Sequence, residues 1–306
     1  MIEIHRILCP IDFSGYSERA LRYAMRMASR HGAQLRVLHV MPPMPSGTTS
    51  ALAASCRDLT TQNVQTAIER QRLTGVDVTI ELIESADPAA RIIECADSFD
   101  ADLVVTGSHG RTGIERALLG SVVETLLHRC GRPVLAIPSH LDDSRAGQPI
   151  GFGRIVCAVD FSAASLNALA YAIAIAEEFD ARLTMLHVID VPPELRNHPE
   201  PQDFNVDRIR AEAEAECLGR LRALVPDGAR DFCTIETAVL EGGVSRQLLR
   251  MSAAANADLI VFGVHGRNAF DLAFFGSTSK DVIRQARCPV LVVPTGGRPT
   301  AMKAAS

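Results

Sequence analysis

The sequence predicts an α/β protein of two tandem, doubly wound, five-stranded parallel sheets, each in a three-layer α/β/α arrangement. Three observations carry this. Short β-branched runs alternate with longer helical patterns in each half of the 306-residue chain. The strand runs are apolar throughout, as in strands covered on both faces. The whole pattern occurs twice, at a period near half the chain, far longer than a solenoid repeat.

The duplication is legible block by block. Ile7-Leu8-Cys9-Pro10-Ile11-Asp12-Phe13-Ser14 matches Ile155-Val156-Cys157-Ala158-Val159-Asp160-Phe161-Ser162, and Leu38-His39-Val40 matches Leu186-His187-Val188. Ala101-Asp102-Leu103-Val104-Val105 matches Ala257-Asp258-Leu259-Ile260-Val261, and Pro133-Val134-Leu135 matches Pro289-Val290-Leu291. Length allows each half its own core. The expected boundaries are 1–140 for the first unit, 141–152 for a polar linker, 153–296 for the second unit and 297–306 for a tail.

In the first half, strands are expected near 5–11, 34–40, 76–83, 102–107 and 133–138. Helices are expected near 16–31, 51–73, 87–98 and 120–130, with Asp87-Pro88 a strong helix start. In the second half, strands fall near 153–159, 182–188, 231–239, 258–263 and 289–294, and helices near 163–179, 203–224, 243–255 and 276–286. Ile209, Ala213, Leu221 and Leu224 form a helical apolar stripe. The Pro-rich loops after the second strand of each half, from Met41 and from Val191, differ in length as loops beside a binding site do.

Each half also carries one glycine pattern. Gly107-Ser108-His109-Gly110 is followed by nine residues and Gly120-Ser121; Gly263-Val264-His265-Gly266 is followed by nine residues and Gly276-Ser277. A glycine-rich loop between strand and helix holds phosphate through backbone N–H groups and the positive end of the helix dipole. In a doubly wound sheet, ligands bind beyond the carboxyl ends of the strands at the switch point. Asp12, Val40 and Gly107 lie at such ends, as do Asp160, Val188 and Gly263. Either Asp also suits an Asx turn or a helix cap. Arg111 and Arg267 suit phosphate pairing or a solvated loop charge. The repeated histidines His39, His187, His109 and His265 are expected to serve the loop and core rather than a metal, since no carboxylate or cysteine stands at ligand spacing.

Composition narrows the function. A net charge of −5 and the absence of tryptophan argue against a nucleic-acid surface. No apolar run reaches membrane-spanning length, and the N-terminus lacks a signal-peptide layout, so the expected location is cytoplasmic. The eight cysteines include no C-x-x-C pair. There is no G-x-x-x-x-G-K-[ST] and no G-x-S-x-G, and no lysine within the glycine loops to stabilise a transferring phosphoryl group.

These residues strongly resemble the universal stress protein family in its tandem form. The resemblance rests on G-x2-G-x9-G-(S/T) after the fourth strand, the Asp ending the first strand, L-H-V in the second and P-V-L-x-(I/V)-P in the last. It covers nearly the whole chain and implies an adenine nucleotide alpha hydrolase-like fold. It implies ATP as ligand, with Mg²⁺ as a candidate companion. By resemblance, Asp12 and the backbone of Val40 line the adenosine end, and Gly107, Gly110, Gly120, Ser121 and Val122 line the ribose and phosphates; Pro10 and Arg111 are further candidate contacts of this site. The second site would use Ala158, Asp160, Val188, Gly263, Gly266, Arg267, Gly276, Ser277 and Thr278. Ala158 in place of Pro10 and Thr278 in place of Val122 make the first half the closer match. The resemblance also implies that 133–138 and 289–294 pair antiparallel as an intramolecular pseudo-dimer, with homodimerisation of the whole chain left open.

The expected function is therefore a stress-response protein binding ATP in each half and acting as a nucleotide-dependent sensor or regulator of an unidentified protein partner. Two alternatives stand beside it: a slow ATPase or nucleotide hydrolase, and an interaction module with vestigial pockets.

Overall fold

The computed structural model describes residues 3–109, 119–138, 141, 151–189, 206–264 and 277–296; at 206, 207, 277 and 278 it describes the backbone only. The first half runs β1 (Arg6–Pro10), α1 (Gly15–His31), β2 (Gln34–Met41), α2 (Ser50–Glu69), β3 (Val78–Glu84), α3 (Pro88–Ser98), β4 (Leu103–Gly107), α4 (Ser121–Arg129) and β5 (Val134–Ile137). The second repeats it as β6 (Arg154–Ala158), α5 (Ala163–Phe179), β7 (Arg182–Ile189), α6 (Val206–Ala223), β8 (Thr234–Glu241), α7 (Val244–Ala254), β9 (Leu259–Val264), α8 (Ser277–Gln285) and β10 (Val290–Pro294).

Within each half the strands are parallel, in the orders β3-β2-β1-β4-β5 and β8-β7-β6-β9-β10. The two sheets are not separate. β5 pairs antiparallel with β10, Leu135 opposite Leu291, and the result is one ten-stranded sheet. This joins the last strands as the resemblance implied and, among the described residues, leaves β3 and β8 at the edges of that sheet.

Helices cover both faces. Ile7, Cys9, Leu35 and Val37 point to the α1, α2, α5 and α6 side, and Leu8, Leu38 and Val104 to the α3, α4, α7 and α8 side. Successive strand residues face opposite layers, so both layers demand apolar residues. Cys9 and Cys157 are fully buried, and burial pushes both thiols well up. A cavity of about 30 Å³ remains beside the β5–β10 junction, lined by Met27, Leu135, Phe152, Tyr171 and Leu291 among others.

Three expectations need correction. α2 ends at Glu69 rather than 73, because Arg72 (φ 52°) and Gly75 (φ 80°) turn the chain in left-handed backbone that a helix cannot contain. β8 begins at Thr234 rather than 231, because a 3₁₀ turn at Ala229–Asp231 follows Gly228 (φ 84°) and leaves Phe232 64% exposed. The α6 stripe buries only its far end: Leu221 is fully buried while Ile209 is exposed, since the helix covers an edge strand. Both the expected linker, apart from Leu141 and 151–152, and the tail lie outside the described residues, as does the loop at 190–205.

Candidate functional site

The site begins where β1 runs out. Pro10 is the last residue of β1, paired with Leu38, and the Ile11 N–H donates to the Leu38 carbonyl. The chain then reverses into α1. Asp12 Oδ1 accepts the Ser14 N–H (3.0 Å) and the Ser14 hydroxyl (2.6 Å), an Asx turn. Ser14 caps α1 by accepting the Ser17 N–H, and Ser17 Oγ accepts the Asp12 N–H at 3.2 Å. The second half repeats the device: Asp160 accepts the Ser162 N–H (2.9 Å), Ser162 caps α5, and Ser165 Oγ accepts the Asp160 N–H. Burial works to raise the pKa of Asp160, but the hydrogen bonds from Ser162 and Ser165 outweigh it and hold the carboxylate below its usual range.

Between the Asp and the capping Ser sits a strained aromatic. Phe13 has φ 62° and Phe161 φ 65°, a conformation that bulky residues rarely adopt. A histidine props each ring: His39 lies 4.6 Å from Phe13 and His187 4.8 Å from Phe161, centroid to centroid. His39 Nδ1 donates to the Ile11 carbonyl and His187 Nδ1 to the Val159 carbonyl, both at 2.7 Å. A carbonyl only accepts, so Nδ1 carries the proton in both rings. The histidines thus hold the exit of the first strand. The sequence reading missed the strained phenylalanines and the second serine; the repeated D-F-S-x-x-S was the available signal.

Gly107 ends β4 against the first turn of α1. A Cβ there would meet the Tyr16 backbone at 2.9 Å, and one at Gly263 would meet the Ala164 carbonyl at 2.2 Å. Helix packing by itself therefore requires a glycine at both positions. Neither residue, nor Gly120, has positive φ.

Past Gly107, the two described ends of the loop meet. The Gly120 N–H donates to the Ser108 carbonyl at 3.2 Å, while the Ser108 N–H donates to the Ile137 carbonyl at 2.9 Å. Gly120 is the N-cap of α4 and supplies no side-chain cap, in contrast to Ser14, Thr49, Asp87 and Ser162 on α1, α2, α3 and α5. The N-cap residue thus offers no side chain to the first-turn N–H groups of α4. Ser121 is exposed and Val122 half-buried. The Tyr16 ring stands 5.5 Å from that of His109, so the Asp12 turn, Gly107 and the returning loop are contiguous.

Val40 and Val188 lie one residue from the ends of β2 and β7, half-buried. Ala158 ends β6 half-buried where Pro10 is buried. Asp160, Val188, Gly263 and the start of α8 at Ser277 repeat the first-half placement. Gly110, Arg111, Gly266, Arg267 and Gly276, and also His265, lie outside the described residues, as do the side chains of Ser277 and Thr278. Among the described residues no His, Cys, Asp and Glu group is arranged to hold a metal ion, and no helix is long and apolar enough to cross a membrane.

The model of the universal stress protein family matches residues 3–138 and again 151–294. The chain is 30% identical over 306 residues to a universal stress protein of Mycolicibacterium smegmatis, covering 94% of this chain and 96% of the relative. Among solved structures, a universal stress protein from Archaeoglobus fulgidus aligns over 95% of this chain and 98% of its own, with 21% identity and a TM-score of 0.64. A universal stress protein solved in complex with cAMP covers 44% of this chain and 98% of its own, at 23% identity and a TM-score of 0.36. Fold, motifs and both matched spans agree, and the chain belongs to the universal stress protein family with the family unit present twice.

Proposed function

We propose that each half binds one adenine nucleotide, ATP in the first instance, and that occupancy makes the protein a regulator of a protein partner. The observation that carries the reading is the hydrogen bond from Gly120 to Ser108, which sets the α4 N-terminus, whose N-cap residue offers no side chain, beside the end of β4. Asp12 and the Val40 backbone would face the adenosine end. Gly107, Gly110, Arg111, Gly120, Ser121 and Val122 would follow the ribose and phosphates. Asp160, Val188, Gly263, Gly266, Arg267, Gly276, Ser277 and Thr278 would do so in the second half, with Pro10 and Ala158 flooring the two sites. A helix terminus contributes only about 0.3–1 kcal/mol at an exposed site, so affinity must sum many contacts. Mg²⁺ would ride on the phosphates. Regulation requires that ATP bind one conformation better than another.

Calorimetry with ATP and Mg²⁺ tests the reading. Wild type is expected to bind, with Gly120→Glu removing one site and Gly276→Glu the other. No heat from wild type at millimolar ATP sinks it. ADP release above that of a Gly110/Gly120 double variant would instead make the protein a slow hydrolase.

A further inference from the structure

The halves meet around a pseudo-two-fold axis, and residues on such an axis face their own equivalents. Leu135 and Leu291 occupy matching positions in the two halves and pair with each other across β5 and β10. The same holds on both faces of the sheet. On one, Arg30 of α1 meets its equivalent Glu178 of α5: Nε lies 2.6 Å from Oε1, Nη2 donates to the Glu178 carbonyl, and the guanidinium stacks 3.9 Å over the Phe179 ring. On the other, Glu124 of α4 is ion-paired with its equivalent Lys280 of α8. At both places the equivalent residues carry opposite charges.

We infer that Arg30, Glu178, Glu124 and Lys280 select which half pairs with which: the junction accepts first half against second half and rejects like against like. Two first halves would set Arg30 against Arg30 and Glu124 against Glu124. Two second halves would set Glu178 against Glu178 and Lys280 against Lys280. Exposed ion pairs attract weakly, so selection comes from the difference between two attractions and two repulsions. Other titratable and charged groups stand beside these pairs. His31 lies 3.7 Å from Glu178 and His128 4.0 Å from Glu124, both on first-half helices, and Asp281 pairs with Arg284 within α8. The benefit is containment: a junction between two first halves would leave both second halves with an open β10 edge, the start of chain-to-chain growth.

Three full-length variants test this. R30E/K280E makes all four axis positions acidic, E124K/E178R makes them all basic, and the four-fold reversal R30E/E124K/E178R/K280E restores opposite charges. The acidic and basic variants are each expected to lose on the order of 2–4 °C of Tm, less in high salt, while the four-fold reversal stays near wild type. Mixed one to one and slowly annealed, the acidic and basic chains are expected to recover Tm and to give a two-chain species containing both, by native mass spectrometry. Equal Tm in all four proteins, or a mixture without that species, overturns the inference. If the acidic and basic variants fail to fold while the reversal folds, charge polarity is the cause and the inference stands; if the reversal also fails, it falls.

Discussion

The backbone of Gly107 lies so close to Tyr16 that a Cβ would stand 2.9 Å from the Tyr16 carbonyl carbon and oxygen, and Gly263 repeats the contact more tightly against Ala164. The end of the fourth strand in each half is thus wedged against the first turn of the helix that follows the first strand. The Asp turn and the end of the fourth strand are thus packed as one unit.

Alanine at either glycine is expected to destabilise. Overpacking costs about 1–3 kcal/mol where neighbours can shift, and here the neighbour is helix backbone. Gly263→Ala, with its 2.2 Å approach, should cost more than Gly107→Ala. Urea unfolding measures both, and equal stability with wild type contradicts the packing account.

Asp12→Asn and Asp12→Ala separate fold from binding. An Asn Oδ1 still accepts the Ser14 N–H, so Asp12→Asn should keep wild-type Tm, whereas Asp12→Ala loses the Asx turn and about 0.5–1.5 kcal/mol. Under the proposed function, both weaken ATP binding in the first half. Thermal melts with calorimetry report the two effects independently.

His39→Ala removes a 2.7 Å hydrogen bond to the Ile11 carbonyl and the prop of the strained Phe13 ring. The expected loss is about 1–3 kcal/mol. Because His187 is half-buried where His39 is buried, His187→Ala should cost less. Equal losses would show that burial does not set the cost.

Acid acts in two windows. Burial lowers the pKa of His31, opposed by Glu178 and reinforced by Arg30; it lowers that of His128, opposed by Glu124 and reinforced by Lys280. The unfolded chain, with histidines near 6.5, then binds more protons, so stability falls as pH drops through about 6.5 toward the folded values. His31→Gln/His128→Gln should flatten that limb. Asp160 is depressed in the fold, so its contribution is present above the ordinary carboxylate range and is lost as pH falls through the folded value. Asp160→Asn should flatten only this lower limb. Melts from about pH 8 to about pH 2 measure both.

Much of the fold was readable because the duplication allowed each element to be checked against its twin. Boundaries slipped where backbone conformation, not composition, ends an element, as at Arg72 and Gly228. The site was legible as a set of strand ends, since parallel strands place Asp12, Val40 and Gly107 at one edge. What could not be read was contact. Nothing in the residue type of Gly107 distinguishes a neighbouring phosphate from a neighbouring helix. Phe13 looks like core until its φ is known, and the axis charges gain meaning only when register places equivalents face to face.

The antiparallel junction of β5 and β10 has a directional consequence. Because the two halves run oppositely across it, the carboxyl ends of their strands open on opposite rims of the common sheet. Under the proposed function each half would be loaded from its own side, and coupling between them would cross the β5–β10 junction and the Arg30–Glu178 and Glu124–Lys280 pairs that flank it.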